Sequence, residues 1–226
     1  MPKKPRTEKE VDQIRTNILE QALILIQDEG FEGFSMRKLS GRLGVSVVTL
    51  YRFYASKDHI YLAVLTRGFQ LLFQQCEKAY YSGKEPVFRL KAMAEAYLRF
   101  GIRQANFYNL MFTWHVPKYK DYIGTPMEAA ALDELEESQK VYQLTIRAVK
   151  ELPQLLGTID DGRVQAYIIC FWSTLHGYVA GINNNLLNYM HEDPLSLQEV
   201  IINNLFDALR LDHIRDHQQA FGDRQQ

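Results

Sequence analysis

The sequence predicts an all-α fold in which an N-terminal three-helix head is joined by a long helix to a larger helical domain. Apolar residues recur at three- and four-residue spacing along most of the chain, and neither strand pairs nor a βαβ alternation interrupts that pattern. The 226 residues, 46% hydrophobic and 12% aromatic, suffice for one or two folded domains. We therefore predict a head over residues 1–55, with a mobile arm at 1–8, and a helical domain over 56–226.

The first helix begins where Thr7 and Glu10 have the spacing of a capping box, in which each side chain bonds the backbone N–H of the other. An apolar stripe then continues until Gly30, a residue type that weakens helices. The stripe consists of Val11, Ile14, Ile18, Ala22 and Leu25. This pattern predicts one long helix that ends at Gly30.

Two short helices follow the first. Ser35 can cap the second helix, and Gly44 suits the left-handed conformation that ends it. Ser46 can cap a third helix through about Phe53. Two short helices joined by the turn at residues 43–46 have the pattern of a helix-turn-helix. We expect Val45 and Leu50 to pack back against the second helix.

The remaining helices are longer on average. Ser56 starts a helix whose apolar stripe continues until Ser82, so we expect it to connect the head with the second domain. Proline and glycine residues mark the ends of the later helices. We predict those helices at about 86–103, 107–112, 126–152 and 162–189, with a final amphipathic helix that begins near Asp193.

The charge balance excludes a uniformly basic, histone-like protein, because 26 Lys and Arg stand against 27 Asp and Glu, for a net charge of −1. It does not exclude a local basic surface, since residues 1–60 carry ten basic and eight acidic side chains. Eight of the basic residues cluster in the arm and the helix-turn-helix region: Lys3, Lys4, Arg6, Arg37, Lys38, Arg42, Arg52 and Lys57.

Cysteine usage and the N-terminus indicate a cytoplasmic protein. Cys76 and Cys170 lie far apart and form neither a disulfide framework nor a zinc ligand set, and the polar N-terminus lacks the apolar segment of a secretory signal. The sequence contains no recognisable catalytic, cofactor or metal motif, so we expect no enzyme activity, cofactor or metal. His213 and His217 are four residues apart, a spacing more typical here of solvated polar residues than of metal ligands.

Residues 164–191 contain no charged side chain and require a choice between a membrane span and a helix of a soluble protein. Gln165, His176 and the run 183–185 of three asparagines would be costly in hydrocarbon, and no second comparable segment exists. A buried or interfacial helix is favoured, and a membrane-tethered sensor is the alternative.

The helix-turn-helix indicates a DNA-binding head, because its second helix can enter the major groove. Valine and threonine can contact thymine methyl groups, hydroxyls can bond phosphates or bases, and arginine or lysine can bind phosphate. The alternative is that these residues are ordinary solvated or packing side chains. We assign DNA binding to Ser35, Arg37, Lys38, Ser46, Val47, Val48, Thr49, Tyr51, Arg52, Tyr54 and Lys57.

Residues 9–65 resemble the DNA-binding region of the TetR family of transcriptional regulators. The resemblance rests on the Gly44-Val45-Ser46 turn, on Leu50-Tyr51-x-x-Tyr54, and on Lys57 followed by Ile60. The family usually has Phe at the position of Tyr54 and Ala near Ser40. A shorter match, residues 171–177, resembles the Trp-x-x-x-His-Gly segment of one C-terminal class. The resemblance implies a homodimer whose C-terminal domain binds a small effector.

A dimer is also expected from the short helix-turn-helix, because one such unit contacts too few base pairs for useful specificity. Two apolar stripes are the candidate interface, unless they pack inside one subunit: Val164, Ile168, Phe171, Leu175, Val179, Ile182 and Leu186, and then Leu197, Ile201, Leu205 and Leu209.

Aromatic residues of the central helices could form a pocket for an apolar effector or simply be core. These candidates are Phe100, Phe107, Tyr108, Phe112, Trp114, Trp172 and His176. We therefore expect a regulator, most simply a repressor, that binds palindromic double-stranded DNA as a homodimer and is released by a small-molecule effector. The alternative within DNA binding is an effector-independent activator or architectural protein.

Overall fold

The computed structural model describes residues 7–152 and 161–207, and within these residues it contains helices and no strands. The all-α prediction is confirmed. The helices are α1 Glu8–Gly33, α2 Met36–Leu43, α3 Val47–Tyr51, α4 Lys57–Ser82, α5 Pro86–Arg103, α6 Ala105–Tyr108, α7 Tyr119–Tyr122, α8 Glu128–Lys150, α9 Asp161–Asn183 and α10, whose described part is residues 198–207. A π-helical turn, Asn109–Thr113, follows α6, and short 3₁₀ turns cover Leu187–Tyr189 and Pro194–Leu197.

The start of α1 follows the predicted capping box. The Thr7 backbone N–H donates to Glu10 Oε2 at 2.7 Å, and the Glu10 N–H donates to Thr7 Oγ1 at 3.3 Å. Gly30 has a φ of 73° and leaves helical geometry there, as predicted, although helical residues resume through Gly33. The head core contains the buried side chains Ile18, Ala22, Leu23, Leu25, Ile26, Phe34, Met36, Leu39, Leu50 and Tyr54.

Several helix ends differ from the prediction. The third helix ends at Tyr51 and not near Phe53, and α9 ends at Asn183 and not near residue 189. In α9 the reason is local, because Asn185 adopts a left-handed conformation and the Leu186 N–H bonds the Gly181 carbonyl at 2.8 Å. Residues 1–6 and 153–160 lie outside the described residues, and so do Leu209, His213 and His217. Lys3, Lys4 and Arg6 are among the first six. Thr7 and Glu8, which were predicted to belong to the arm, cap and begin α1.

The chain divides into two compact units that do not coincide with the predicted boundary at 55/56. One unit contains residues up to Leu71 together with Asn106–Gln139, and the other contains Leu72–Ala105 with the residues from Lys140 onward. α4 and α8 therefore each contribute residues to both units.

In the first unit, the beginning of α4 is fixed by buried tyrosines. Tyr61 Oη donates to the Pro117 carbonyl at 2.9 Å, and Tyr122 Oη donates to Asp58 Oδ1 at 3.1 Å. Burial raises the pKa of Tyr61 and Tyr122, with nearby carboxylates adding to the effect, so both hydroxyls stay protonated donors. These bonds attach α4 to the segment around α7, which explains why its first half groups with the head.

In the second unit, α9 packs against α5 and against the segment at 194–207. Tyr178 Oη donates to the Pro194 carbonyl at 2.6 Å, and the rings of Phe171 and Phe206 meet edge to face at 5.9 Å. A polar cluster forms elsewhere in this unit, where Glu151 accepts bonds from Tyr80 at 2.6 Å and Arg89 at 3.0 Å.

Candidate nucleic-acid interface

Both short helices of the head are capped by serine. Ser35 Oγ accepts the Lys38 N–H at 3.3 Å, and Ser46 Oγ accepts the Thr49 N–H at 3.2 Å. Gly44 has a φ of 65°, a conformation that side chains with a Cβ rarely adopt. The local sequence signals therefore produce the two helices and the sharp turn of a helix-turn-helix.

α3 and the residue after it present several side chains to solvent. Val48 is 72% exposed and Tyr51 is 53% exposed, which is unusual for large apolar or aromatic residues. Arg52 is also exposed, Val47 and Thr49 are half-buried, and Leu50 is buried in the head core. This surface has the size and chemistry of a helix that enters the major groove.

Two cations of α2 are already paired within the head. Lys38 Nζ forms an ion pair with Glu29 and donates to the Gly33 carbonyl at 3.0 Å. Arg42 Nη1 lies 3.4 Å from Asp28 Oδ2. Because these groups are solvent-exposed, such pairs are weak and can be exchanged for phosphate.

The other predicted cations are less constrained. Lys57 Nζ lies 4.6 Å from the centre of the Phe31 ring, a cation–π contact. Arg37 and Arg52 are exposed, and among the described residues no ion pair or hydrogen bond holds either guanidinium. Both guanidinium groups are therefore accessible to a phosphate.

Two predictions for the head need correction. Tyr54 is only 7% exposed, and its ring meets the His59 ring edge to face at 5.3 Å. Burial raises the pKa of this phenol, which is consistent with a core residue. Tyr54 therefore supports the helix-turn-helix and is not positioned to contact DNA. Val45, predicted to pack against the second helix, is instead 39% exposed.

The first predicted interface stripe also needs correction. Val164, Ile168, Phe171, Leu175 and Val179 are all buried within one protomer, so the alternative that this stripe is core applies. Ile182 is half-buried, and Leu186 lies beyond the end of α9. Periodicity could not distinguish the two faces, because α9 carries apolar residues on both.

The exposed part of α9 is a different face. Its exposed residues include Ala166, Ile169, Trp172 and Ser173, and we call these four the α9 outer face. Ile169 is 62% exposed and Trp172 is 41% exposed. From the second predicted stripe, Leu197, Ile201 and Leu205 are half-buried.

The predicted effector residues are divided between the two units. Phe107, Tyr108, Phe112 and Trp114 belong to the first unit, and Phe100, Trp172 and His176 belong to the second. Phe100 is fully buried. Trp172 lies on the α9 outer face and stacks on His176 with ring centres 4.6 Å apart.

An aromatic cluster forms in the first unit. Phe112 contacts Phe69 at 5.7 Å and Tyr108 at 5.1 Å between ring centres. Next to this cluster, Asn109 Oδ1 is buried and has no hydrogen-bond partner among the described residues. Asn109 begins a π-helical turn, a feature frequent at functional sites. Sequence reasoning missed Phe69 and Asn109, because neither belongs to a recognisable motif.

Some of the features that would indicate other functions are not found in the described part of the chain. Across residues 7–152 and 161–207, no helix combines the length and hydropathy needed to cross a bilayer. Within the same ranges, no group of three metal-binding side chains comes together.

The capped helices, the turn and the exposed α3 define a helix-turn-helix regulatory protein. A family model described as bacterial regulatory proteins, tetR family, matches residues 18–64, and one described as tetracyclin repressor-like, C-terminal domain, matches residues 90–205. The second match alone spans more than half of the chain. This chain belongs to the TetR family of bacterial regulatory proteins, which confirms the resemblance seen in its sequence.

Two curated relatives come from Mycolicibacterium smegmatis. The transcriptional repressor KstR is 34% identical over 79 residues, or 35% of this chain and 39% of the relative. The transcriptional activator FasR is 31% identical over 119 residues, or 53% of this chain and 52% of the relative. The matches thus span about two fifths to one half of these relatives.

A solved structure of FadR from Bacillus subtilis, in complex with stearoyl-CoA, shares the fold. It matches with a TM-score of 0.63 over 84% of this chain and 96% of that chain. Its sequence is 13% identical, so this similarity concerns the fold alone.

Proposed function

We propose that this protein binds a palindromic operator in double-stranded DNA as a homodimer and represses transcription until a small, largely apolar effector releases it. The capped helix-turn-helix with its exposed α3 is the observation that carries this proposal. We assign the DNA contacts to the predicted residues other than Tyr54, place the protein in the cytoplasm, and assign it a regulatory and not an enzymatic role.

The homodimer follows from the size of the head and from the α9 outer face. One short recognition helix reads few base pairs, and two-fold pairing doubles both the contacts and the basic surface. Ile169 and Trp172 offer an apolar centre of the type that protein interfaces bury. Gly177, also exposed, would let a partner helix approach closely. We therefore assign the dimer interface to the α9 outer face.

The effector part of the proposal rests on the cluster around Phe112. Phe69, Phe107, Tyr108 and Phe112 provide apolar surface, and the unpartnered Asn109 Oδ1 is an acceptor for one ligand hydrogen bond. Burying an acceptor without a partner costs free energy, which a ligand that carries a donor would recover. We infer an apolar effector with a hydroxyl or amide donor.

Release of DNA then requires a population shift between two dimer states. The effector must prefer the state in which the two recognition helices no longer match half-sites about 34–36 Å apart. Equal affinity for both states would leave DNA binding unchanged. α4 is the candidate element that couples effector binding to DNA release, because it begins directly after the head and its residues belong to both units.

The DNA-binding part is tested by selecting duplexes from a random pool with purified protein, followed by gel-shift titration of the recovered sequence. We expect enrichment of a palindrome with half-sites about one helical turn apart. A matched control is the double variant Tyr51→Ala, Arg52→Ala, which removes two exposed α3-end side chains and should enrich nothing. Failure of the unaltered protein to enrich any duplex would contradict the proposed function.

The effector and the sign of regulation require separate experiments. Stearoyl-CoA is a first probe because it is present in the FadR structure, and a panel of apolar alcohols and amides follows. DNA complexes that none of these compounds weakens would favour an effector-independent regulator. A reporter gene behind the recovered operator should be silenced by the protein, whereas stimulation would assign the activator role that FasR has.

A further inference from the structure

The recognition surface of α3 is mainly apolar. The helix Val47–Tyr51 contains no Arg, Lys, Asn, Gln, Asp or Glu, the residue types that make the paired hydrogen bonds to base edges. Its most exposed side chain is Val48, an aliphatic group that can form no hydrogen bond. Exposure of an aliphatic side chain at this position leaves apolar surface available for a partner.

The hydroxyl of Thr49 is engaged inside the helix. Ser46 Oγ lies 2.9 Å from Thr49 Oγ1, and the same Ser46 oxygen accepts the Thr49 backbone N–H. This pair of contacts fixes the Thr49 side chain as part of the helix cap. The methyl group of Thr49 is then the part that can meet a base.

The major groove offers one apolar group, the C5 methyl of thymine. We infer that α3 selects its half-site by packing Val48 and the Thr49 methyl against thymine methyl groups. This inference rests on the proposed DNA binding and makes it more specific: the DNA that fits contains thymines under the centre of α3. Polar contacts from this surface to base edges are then confined to Tyr51, at the end of α3, and Arg52, which follows it.

Replacing thymine by deoxyuridine tests the inference, because the exchange removes the methyl group and keeps base pairing. Each thymine of the recovered duplex is exchanged in turn, and the Kd is measured by fluorescence anisotropy. We expect about fourfold weaker binding at one or two positions per half-site, the factor that corresponds to one buried methyl group. Other thymines should change the Kd by less than twofold.

A double-mutant cycle assigns the contact to Val48. The Val48→Ala variant should bind the thymine duplex more weakly than the unaltered protein does. At one of the thymine positions that affect the Kd, exchange for deoxyuridine should not weaken its binding further. Leu132→Ala is the matched control, because Leu132 is also an exposed aliphatic residue but lies on α8. It should keep the full deoxyuridine effect.

Two results would overturn the inference while leaving the proposed function intact. The first is a recovered duplex that binds equally well with deoxyuridine at every thymine position. The second is a deoxyuridine effect that persists undiminished in both Val48→Ala and Thr49→Ser. Failure to recover any duplex would instead overturn the proposed function and this inference with it.

Discussion

The helix-turn-helix and α9 show two different ways in which a sequence specifies a surface. In the head, serine caps and a left-handed glycine fix two short helices. These helices contain few apolar residues that could be buried. The exposed face of α3 therefore follows from local signals. α9 has no charged residue from Val164 onward, and both of its faces can be buried. Only packing against α5 and the 194–207 segment determines which face remains exposed.

The largest effect is expected in the α9 core. Leu175 is 2% exposed, so Leu175→Ala should lower the free energy of unfolding by about 2–5 kcal/mol, because it leaves a cavity. Urea denaturation followed by circular dichroism measures this change. Ser173→Ala, on the α9 outer face, is the control and should stay within about 0.5 kcal/mol. Equal effects would mean that the assignment of core and outer face is wrong.

The next largest effect concerns dimerisation. Ile169→Asp places a charge at the centre of the proposed interface and should weaken the dimer about 100-fold, or by about 2.7 kcal/mol. Sedimentation equilibrium measures the dissociation constant. Phe88→Asp is the matched control, since Phe88 is 65% exposed on α5 and its replacement should leave the dimer intact. A dimer insensitive to Ile169→Asp would remove the α9 outer face from the interface.

In the head, Tyr51→Ala should weaken operator binding about tenfold or more, since exposed base-reading side chains contribute about 1–3 kcal/mol. Thermal stability should stay close to that of the unaltered protein because Tyr51 is 53% exposed. Gel-shift titration and a melting curve give the two values. A large loss of thermal stability would show that Tyr51 supports the fold and is not a reader.

Lys57→Ala should have a smaller effect that depends on salt. Loss of one phosphate contact per subunit reduces the slope of log K against log salt by about 0.9 per contact. Dimerisation should not change. Lys140→Ala, an exposed lysine on α8, is a control for the change in net charge. Unchanged affinity and slope for Lys57→Ala would contradict the phosphate role.

The smallest predicted effect is a gain of affinity. Glu29→Gln frees Lys38 from its ion pair and should tighten DNA binding by a factor of about 1.4 to 5, because an exposed pair is worth about 0.2–1 kcal/mol. Glu32→Gln removes the same charge from the same helix, and no ion pair of Glu32 is found among the described residues. If both variants gained the same DNA affinity, the cause would be the loss of a negative charge in general and not competition between Glu29 and phosphate for Lys38.

The helices and the recognition region could be predicted because their signals are local. Thr7, Ser35, Gly44 and Ser46 act on backbone groups within a few residues, and the structure contains the caps and turn that they predict. Tyr54 was the exception, since the sequence places it beside exposed residues. Its ring packs in the head core and contacts His59, which lies in the first turns of α4.

By itself, the sequence determined the all-α class, the capped helix-turn-helix and the family to which the chain belongs. Tertiary structure decided which apolar stripe of α9 is core, which cations of α2 are paired within the head, and that Asn109 Oδ1 is buried beside an aromatic cluster. Caps and turns are short-range hydrogen-bonded structures, so neighbouring residues specify them. Burial depends on which distant surfaces pack together. The type of an apolar residue does not show whether it lies in a core or in an interface.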